Sequence, residues 1–223
     1  MTLSNIGYMS AAAALLGALA ALLQATGYAL YLRHALRSET RPNPASWLMF
    51  AYGTALVVVL ETAAGGTWPV LLLPAVCAAS SVVVAAVTFR AGATLRTLDQ
   101  ADQVAFGLDI ALTIAYVAVW LARALHLVEP RLFTLAGSFL LVGAAATSIT
   151  SFVPIVRSTY RVPGGERPGP WIVWTAAYAA LGAATLLTAD APALLVYPGV
   201  NVLLHSLVAG LSLRRMPASE LLR

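Results

Sequence analysis

Long apolar runs separated by short polar junctions organise this chain. Seven runs can be placed, at 8–32, 46–63, 69–89, 104–122, 132–156, 170–188 and 192–213. A bilayer-spanning helix needs about 20 apolar residues, and each run is close to that length. The junctions carry turn and breaker signals: RPNP at 41–44, GG at 65–66, VEPR at 128–131 and PGGERPGP at 163–170. The longest, RAGATLRTLDQADQ at 90–103, is still too short to be a linker between soluble domains. The pattern therefore predicts an all-α membrane protein with one domain over 1–223 and seven transmembrane helices.

Composition agrees with lipid as the solvent. The chain is 60% hydrophobic and 10% charged over 223 residues, against about 45–50% and about 25% for a soluble domain. All 13 basic residues are arginine, and no lysine occurs. The pI near 9.6 does not point to nucleic acid, because the arginines sit in short junctions, where they set orientation. Junctions one, three and five with the C-terminal tail hold Arg33, Arg37, Arg41, Arg90, Arg96, Arg157, Arg161, Arg167, Arg214, Arg215 and Arg223. The other side holds Arg123 and Arg131. An outward N-terminus and a cytoplasmic C-terminus are expected. MTLSNIGYMS has no basic residue ahead of its apolar run, so no cleaved signal peptide is expected. The lone Cys77 excludes an intrachain disulfide and a cysteine-based metal cluster.

One junction occurs twice. RSETRPNPASW at 37–47 and RVPGGERPGPW at 161–171 each run over eleven residues from an arginine to a tryptophan, with two prolines in the first and three in the second. A shift of 124 residues superposes Arg33 on Arg157, Arg37 on Arg161, Pro44 on Pro168 and Trp47 on Trp171. The same shift, without a gap, places Pro74 on Pro198 and Arg90 on Arg214. Residues 8–90 and 132–214 are therefore expected to be two three-helix repeats, with a linker helix at 104–125 between them. An odd-numbered linker restores chain direction, so the repeats should be parallel, related by an axis along the membrane normal.

This 3+1+3 arrangement resembles the SWEET, SemiSWEET and PQ-loop superfamily, and TRPNPASWL and FVPIVRSTYR are similar to phrases of a bacterial group of membrane proteins. The resemblance implies a transporter fold built of two rocking bundles. The superfamily's Pro-Gln signature is replaced by Pro154-Ile155 in the second repeat and Leu30-Tyr31 in the first. SWEET-type proteins bind substrate through an asparagine on the third helix of each repeat. Asn201 stands at that position, and Cys77 stands at its counterpart.

Pro198, Asn201 and His205 share one face of the last helix at spacing i, i+3, i+7, as do Pro74, Cys77 and Ser81 on helix three. A proline within a helix frees a carbonyl and introduces a kink, so Pro74, Pro198 and Pro154 are candidate hinges. Asn201 and His205 fall roughly 10 and 16 Å below the outer end at 1.5 Å per residue, the depth at which transporters hold substrate. The alternative is that both merely tie helices together by hydrogen bonds. A neutral buried His205 suits a coupling proton, although no acidic partner is assigned by sequence. Trp174 lies one turn deeper than Trp171 and can cap a central cavity, whereas Trp47 and Trp171 read as headgroup anchors. Thr147, Ser151 and Pro154 share a face, with Gln24, Thr26 and Gly27 in the matching stretch of helix one; back-bonding to their own helix is the plainer account. Glu61 and Asp109 fall near helix ends, where interfacial solvation, or an arginine partner for Asp109, would satisfy them.

No GxxxxGK[ST] phosphate loop is present, no lysine is available for a Schiff base, and the three histidines have no metal-ligand spacing. No nucleophile has a plausible base, so no enzyme activity, cofactor or metal is expected. The expected function is transport of a small polar solute (a sugar, amino acid or vitamin-like compound) by alternating access in a bacterial inner membrane, without evident coupling. The expected partners are the bilayer and the solute, with no nucleic acid, and a monomer contains both halves. The alternative is a ligand- or peptide-binding receptor, or a non-transporting subunit of a membrane complex, on the same fold.

Overall fold

The computed structural model of the chain describes residues 3–40, 42, 44–90, 100–188 and 191–214. Arg41, Arg96, Arg215 and Arg223 of the expected basic side lie outside the described residues. Seven α-helices follow in order: α1 (Leu3–Leu36), α2 (Pro44–Ala63), α3 (Trp68–Arg90), α4 (Gln100–Ala124), α5 (Pro130–Arg161), α6 (Pro168–Thr188) and α7 (Val196–Leu213). No strand occurs among the described residues. All seven helices, α7 together with the 3₁₀ turn Pro192–Leu195 ahead of it, are long and apolar enough to cross a bilayer, as in a multi-pass membrane protein.

Punctuation residues set the ends. Pro44, Pro130 and Pro168 open α2, α5 and α6, where a missing N–H is no loss. α2 closes with Gly65 at φ +88° and the bonds Gly65 N–H to Thr62 O (3.2 Å) and Gly66 N–H to Glu61 O (2.7 Å), a Schellman motif. Ser38 and His126 take the same left-handed position beyond α1 and α4. α5 runs to Arg161 rather than ending near 156, carrying Pro154 inside it as α3 carries Pro74. Pro198 differs from the expectation of a mid-helix kink. It falls in the first turn of α7, directly after the 3₁₀ turn, where the backbone N–H would have had no intrahelical partner anyway.

Packing is reciprocal. α3 lies against both α1 and α2, and α7 against both α5 and α6; α1 also faces α6, and α2 faces α5. α4 rests on the outside, against α5 and α2, with Leu108, Ile114, Val117 and Leu121 exposed on it. One buried cluster, around Leu60, Val70, Leu73, Leu141 and Leu181, fills one half of the bundle. The other, around Tyr28, Trp47, Phe152, Trp171 and Trp174, fills the half nearer the junctions 37–43 and 162–167. Ion pairing joins these two junctions: Glu39 meets His34 Nδ1 at 2.7 Å and Arg167 Nε at 3.8 Å. The hydrogen bond from His34 and the nearby positive charges hold the Glu39 carboxyl below its usual range.

Candidate functional site: an aromatic chamber between the helices

Six of the seven helices wall a chamber, a narrow space in the bundle interior. Its rings subdivide that space and leave clearance for water-sized molecules. The lining is ordered by sequence: Tyr28 and Phe152, Trp47 and Trp171, Phe50 and Trp174, Thr54 and Tyr178, and Cys77 and Asn201 all face it. Each of these five pairs is separated by 124 residues. The remaining lining residues are Ser148, Tyr197 and His205.

Trp174 lies at the centre of the aromatic packing, with ring centroids of Tyr28 at 5.0 Å, Trp171 at 5.0 Å, Tyr31 at 5.7 Å and Trp47 at 6.1 Å. Its indole N–H donates to Gln24 O of α1 at 3.2 Å. Gly27, one turn further along α1, admits the ring: a Cβ there would collide with the indole. Trp47 and Trp171 are each 1% exposed, which corrects the expectation that they anchor at headgroups. Their N–H groups find acceptors inside, Tyr31 Oη at 3.3 Å and Glu166 Oε2 at 3.1 Å, so neither ring has to reach the interface.

The polar candidates converge on the same chamber from α3 and α7. Asn201 Nδ2 donates to Tyr197 O at 2.9 Å, and His205 Nδ1 pairs with Asn201 O at 2.8 Å. A carbonyl only accepts, so Nδ1 carries the proton and a neutral ring has Nε2 as an acceptor. Four rings surround His205: Phe152, Tyr178, Trp171 and Trp174, at 4.9, 4.9, 5.6 and 5.7 Å. Cys77 sits between two tyrosines, Tyr28 Oη at 3.2 Å and Tyr178 Oη at 3.7 Å. Tyr178 Oη continues to Tyr197 Oη at 3.0 Å. Ser81 stands behind the wall rather than in it, with its hydroxyl taken by Tyr28 Oη at 2.6 Å. Ser151 donates to Thr147 O of its own helix at 3.3 Å, as back-bonding predicts.

The acids depart from expectation. Asp109 is 1% exposed and is met by Thr147 of α5, not by an arginine. The Thr147 hydroxyl also lies 2.9 Å from Ala144 O, so its one proton faces two acceptors. Glu61 is 0% exposed, and neither carboxyl oxygen has a hydrogen-bond partner. Interfacial solvation is ruled out for it, because both carboxyl oxygens are enclosed by protein. An unpartnered buried carboxyl destabilises a fold by about 1–3 kcal/mol or more. Glu61→Leu should therefore raise the midpoint of thermal unfolding in nanodiscs. A lowered midpoint would mean that the carboxyl has a stabilising partner.

Glu166 is the residue that sequence reasoning missed. It lies in junction 162–167, yet it is 5% exposed and accepts from Tyr31 Oη (3.3 Å) and Trp171 Nε1 (3.1 Å). Burial raises its pKa from 4.5 to about 7 against the opposing effect of those two bonds. Tyr28, Tyr31, Tyr178 and Tyr197 were also missed. For Tyr28 and Tyr178 the signal was available, since the 124-residue shift pairs them with Phe152 and Thr54. Among the described residues no group of His, Cys, Asp and Glu is placed to hold a metal. Compared with known proteins, the chain matches no family model, no curated protein and no solved structure.

Proposed function

We propose that the chain is a transporter for a small polar solute, working by alternating access about the aromatic chamber. The carrying observation is that five pairs of residues 124 positions apart line one space. Two parallel three-helix repeats, 8–90 and 132–214, joined by a linker helix account for that pairing. The reciprocal packing of α1 on α6 and α2 on α5 supports the same reading. On this reading the SWEET-like resemblance is one of architecture. The arginine-rich end faces the cytoplasm of a bacterial cell, and the chamber opens in turn to either side by rocking of the bundles. Asn201, His205, Cys77 and Trp174 contact the solute, Ser81 braces Tyr28, and Pro74 and Pro154 are the hinges. Pro198 marks the start of α7. No coupling ion, cofactor or second chain is invoked.

The close filling of the chamber favours a second reading, a receptor or complex subunit that binds without turnover. One experiment separates them. The purified protein in nanodiscs is screened by thermal shift against sugars, amino acids, vitamins and nucleosides, with Asn201→Ala alongside. Any stabilising compound is then followed as flux into proteoliposomes. Transport predicts a compound that stabilises the wild type, fails to stabilise the variant and crosses the membrane. Stabilisation without flux sinks the transport reading in favour of the receptor.

A further inference from the structure

The hydrogen-bonding balance of the chamber narrows the solute class. All three indole N–H groups that line it are committed elsewhere, to Tyr31, Glu166 and Gln24 O. The hydroxyl protons of Thr54 and Ser148 go to Phe50 O and Ala144 O of their own helices. The tyrosine hydroxyls bond to one another, to Cys77 and to Ser81. The capacity left over is mostly that of acceptors: His205 Nε2, Asn201 Oδ1 and the oxygens of Thr54 and Ser148, against the second N–H of Asn201 Nδ2. Among the described residues no arginine or other charged side chain lines the chamber. A carboxylate solute would find neither a counter-charge nor a set of free donors there, and leaving it unpaired is costly.

The walls favour the opposite charge. Neighbouring rings meet steeply, Tyr28 on Trp174 at 61°, Phe152 on Trp171 at 63°, Trp47 on Phe50 at 74° and Trp171 on Trp174 at 79°. Such rings form the adjacent sides of a box, and the faces of Trp and Tyr attract cations. A buried carboxyl flanks the box, Glu166, which accepts from Trp171 Nε1 and Tyr31 Oη. We propose that the solute is a small organic cation without a carboxylate, an amine or guanidine whose N–H donates to His205 Nε2 while ring faces surround its charge. This rests on the transport reading of the same chamber and replaces a sugar or amino acid with a cationic solute.

The test uses one carbon skeleton with three charges. Isobutylamine, isobutanol and isobutyrate, with glucose as a neutral polyol, are titrated against the full-length protein in nanodiscs, with empty nanodiscs as blank. The emission of the lining tryptophans is the readout. The ammonium should saturate at least about tenfold more tightly than the alcohol, as cation–π and hydrogen-bond contributions of ~1–2 kcal/mol imply. The carboxylate should not bind. His205→Phe, which removes Nε2 but keeps a ring, should weaken the ammonium about threefold to thirtyfold. Phe152→Leu, which leaves the imidazole bonds in place, should weaken it by several-fold and guards against a misfolded His205 variant. Equal binding of alcohol and ammonium, or tighter binding of glucose or isobutyrate, overturns the cation and leaves the chamber as a solute site. No saturable response to any of the four, together with no flux of any, overturns the transport reading as well.

Discussion

Gly27→Ala should destabilise the protein by about 2–4 kcal/mol, a larger loss than a surface substitution gives. A Cβ at position 27 would lie within the van der Waals envelope of the Trp174 indole, and overpacking a filled core costs about 1–3 kcal/mol. The ring cannot withdraw freely, because Tyr28, Tyr31, Trp47, Trp171 and His205 surround it. Any shift also stretches its bond to Gln24 O, which adds about 0.5–1.5 kcal/mol. The loss should appear as earlier unfolding in denaturant, with tryptophan emission altered before the transition. A smaller second change, Trp174→Phe in the Gly27→Ala background, should recover part of the loss by retracting the ring. An unchanged midpoint in Gly27→Ala would mean that α1 and α6 do not approach as closely as described.

The second large effect concerns pH and Glu166. Its carboxyl titrates at about 7 in the folded protein against an ordinary 4.5. Between those values the folded state holds the proton and the unfolded state does not. Stability therefore falls as pH rises from about 4.5 to about 7, and levels off above. The full change corresponds to about 3 kcal/mol. The Glu39 carboxyl, paired with His34 and Arg167, lies near the same junction, so the slope must be assigned by substitution. Glu166→Gln removes the titrating group and keeps an acceptor oxygen for Tyr31 or Trp171. Unfolding midpoints measured from pH 5 to 8 should slope downward for the wild type and lie nearly flat for Glu166→Gln. A variant with the full wild-type slope would show that the slope does not come from Glu166.

The helices were legible because a bilayer demands long apolar runs, and their ends follow from Pro44, Pro130, Pro168 and Gly65. Chain direction and packing then bring Asn201 and Cys77 to one chamber, as the spacing of α7 and α3 predicted. What sequence could not convey was where polar groups find partners. A tryptophan beside an arginine-rich junction reads as an interfacial anchor, and only the fold places Tyr31 and Glu166 within reach of Trp47 and Trp171. A glutamate among prolines and glycines reads as a surface residue, yet Glu166 is enclosed by α1 and α6. Glu61 was misjudged for the opposite reason: its place near a helix end was right, but its side chain is fully buried there. Local periodicity carries the elements, whereas the depth of a polar side chain is a property of its neighbours.

The pairs around the chamber also bear on how such a site can diverge. In an assembly of two identical chains, every substitution at the centre appears twice, once on each side. On the proposed two-repeat reading the equivalent positions belong to one polypeptide, with α4 between them, and each half changes alone. Cys77 stands opposite Asn201, Thr54 opposite Tyr178, and Phe50 opposite Trp174. Ser81, behind the wall, corresponds to His205 within it. The imidazole and the amide thus lie on α7, while α3 offers a thiol and a hydroxyl already engaged by tyrosine. A ligand bound as proposed would meet two unlike faces and be held one way round, an orientation that two identical halves could not impose.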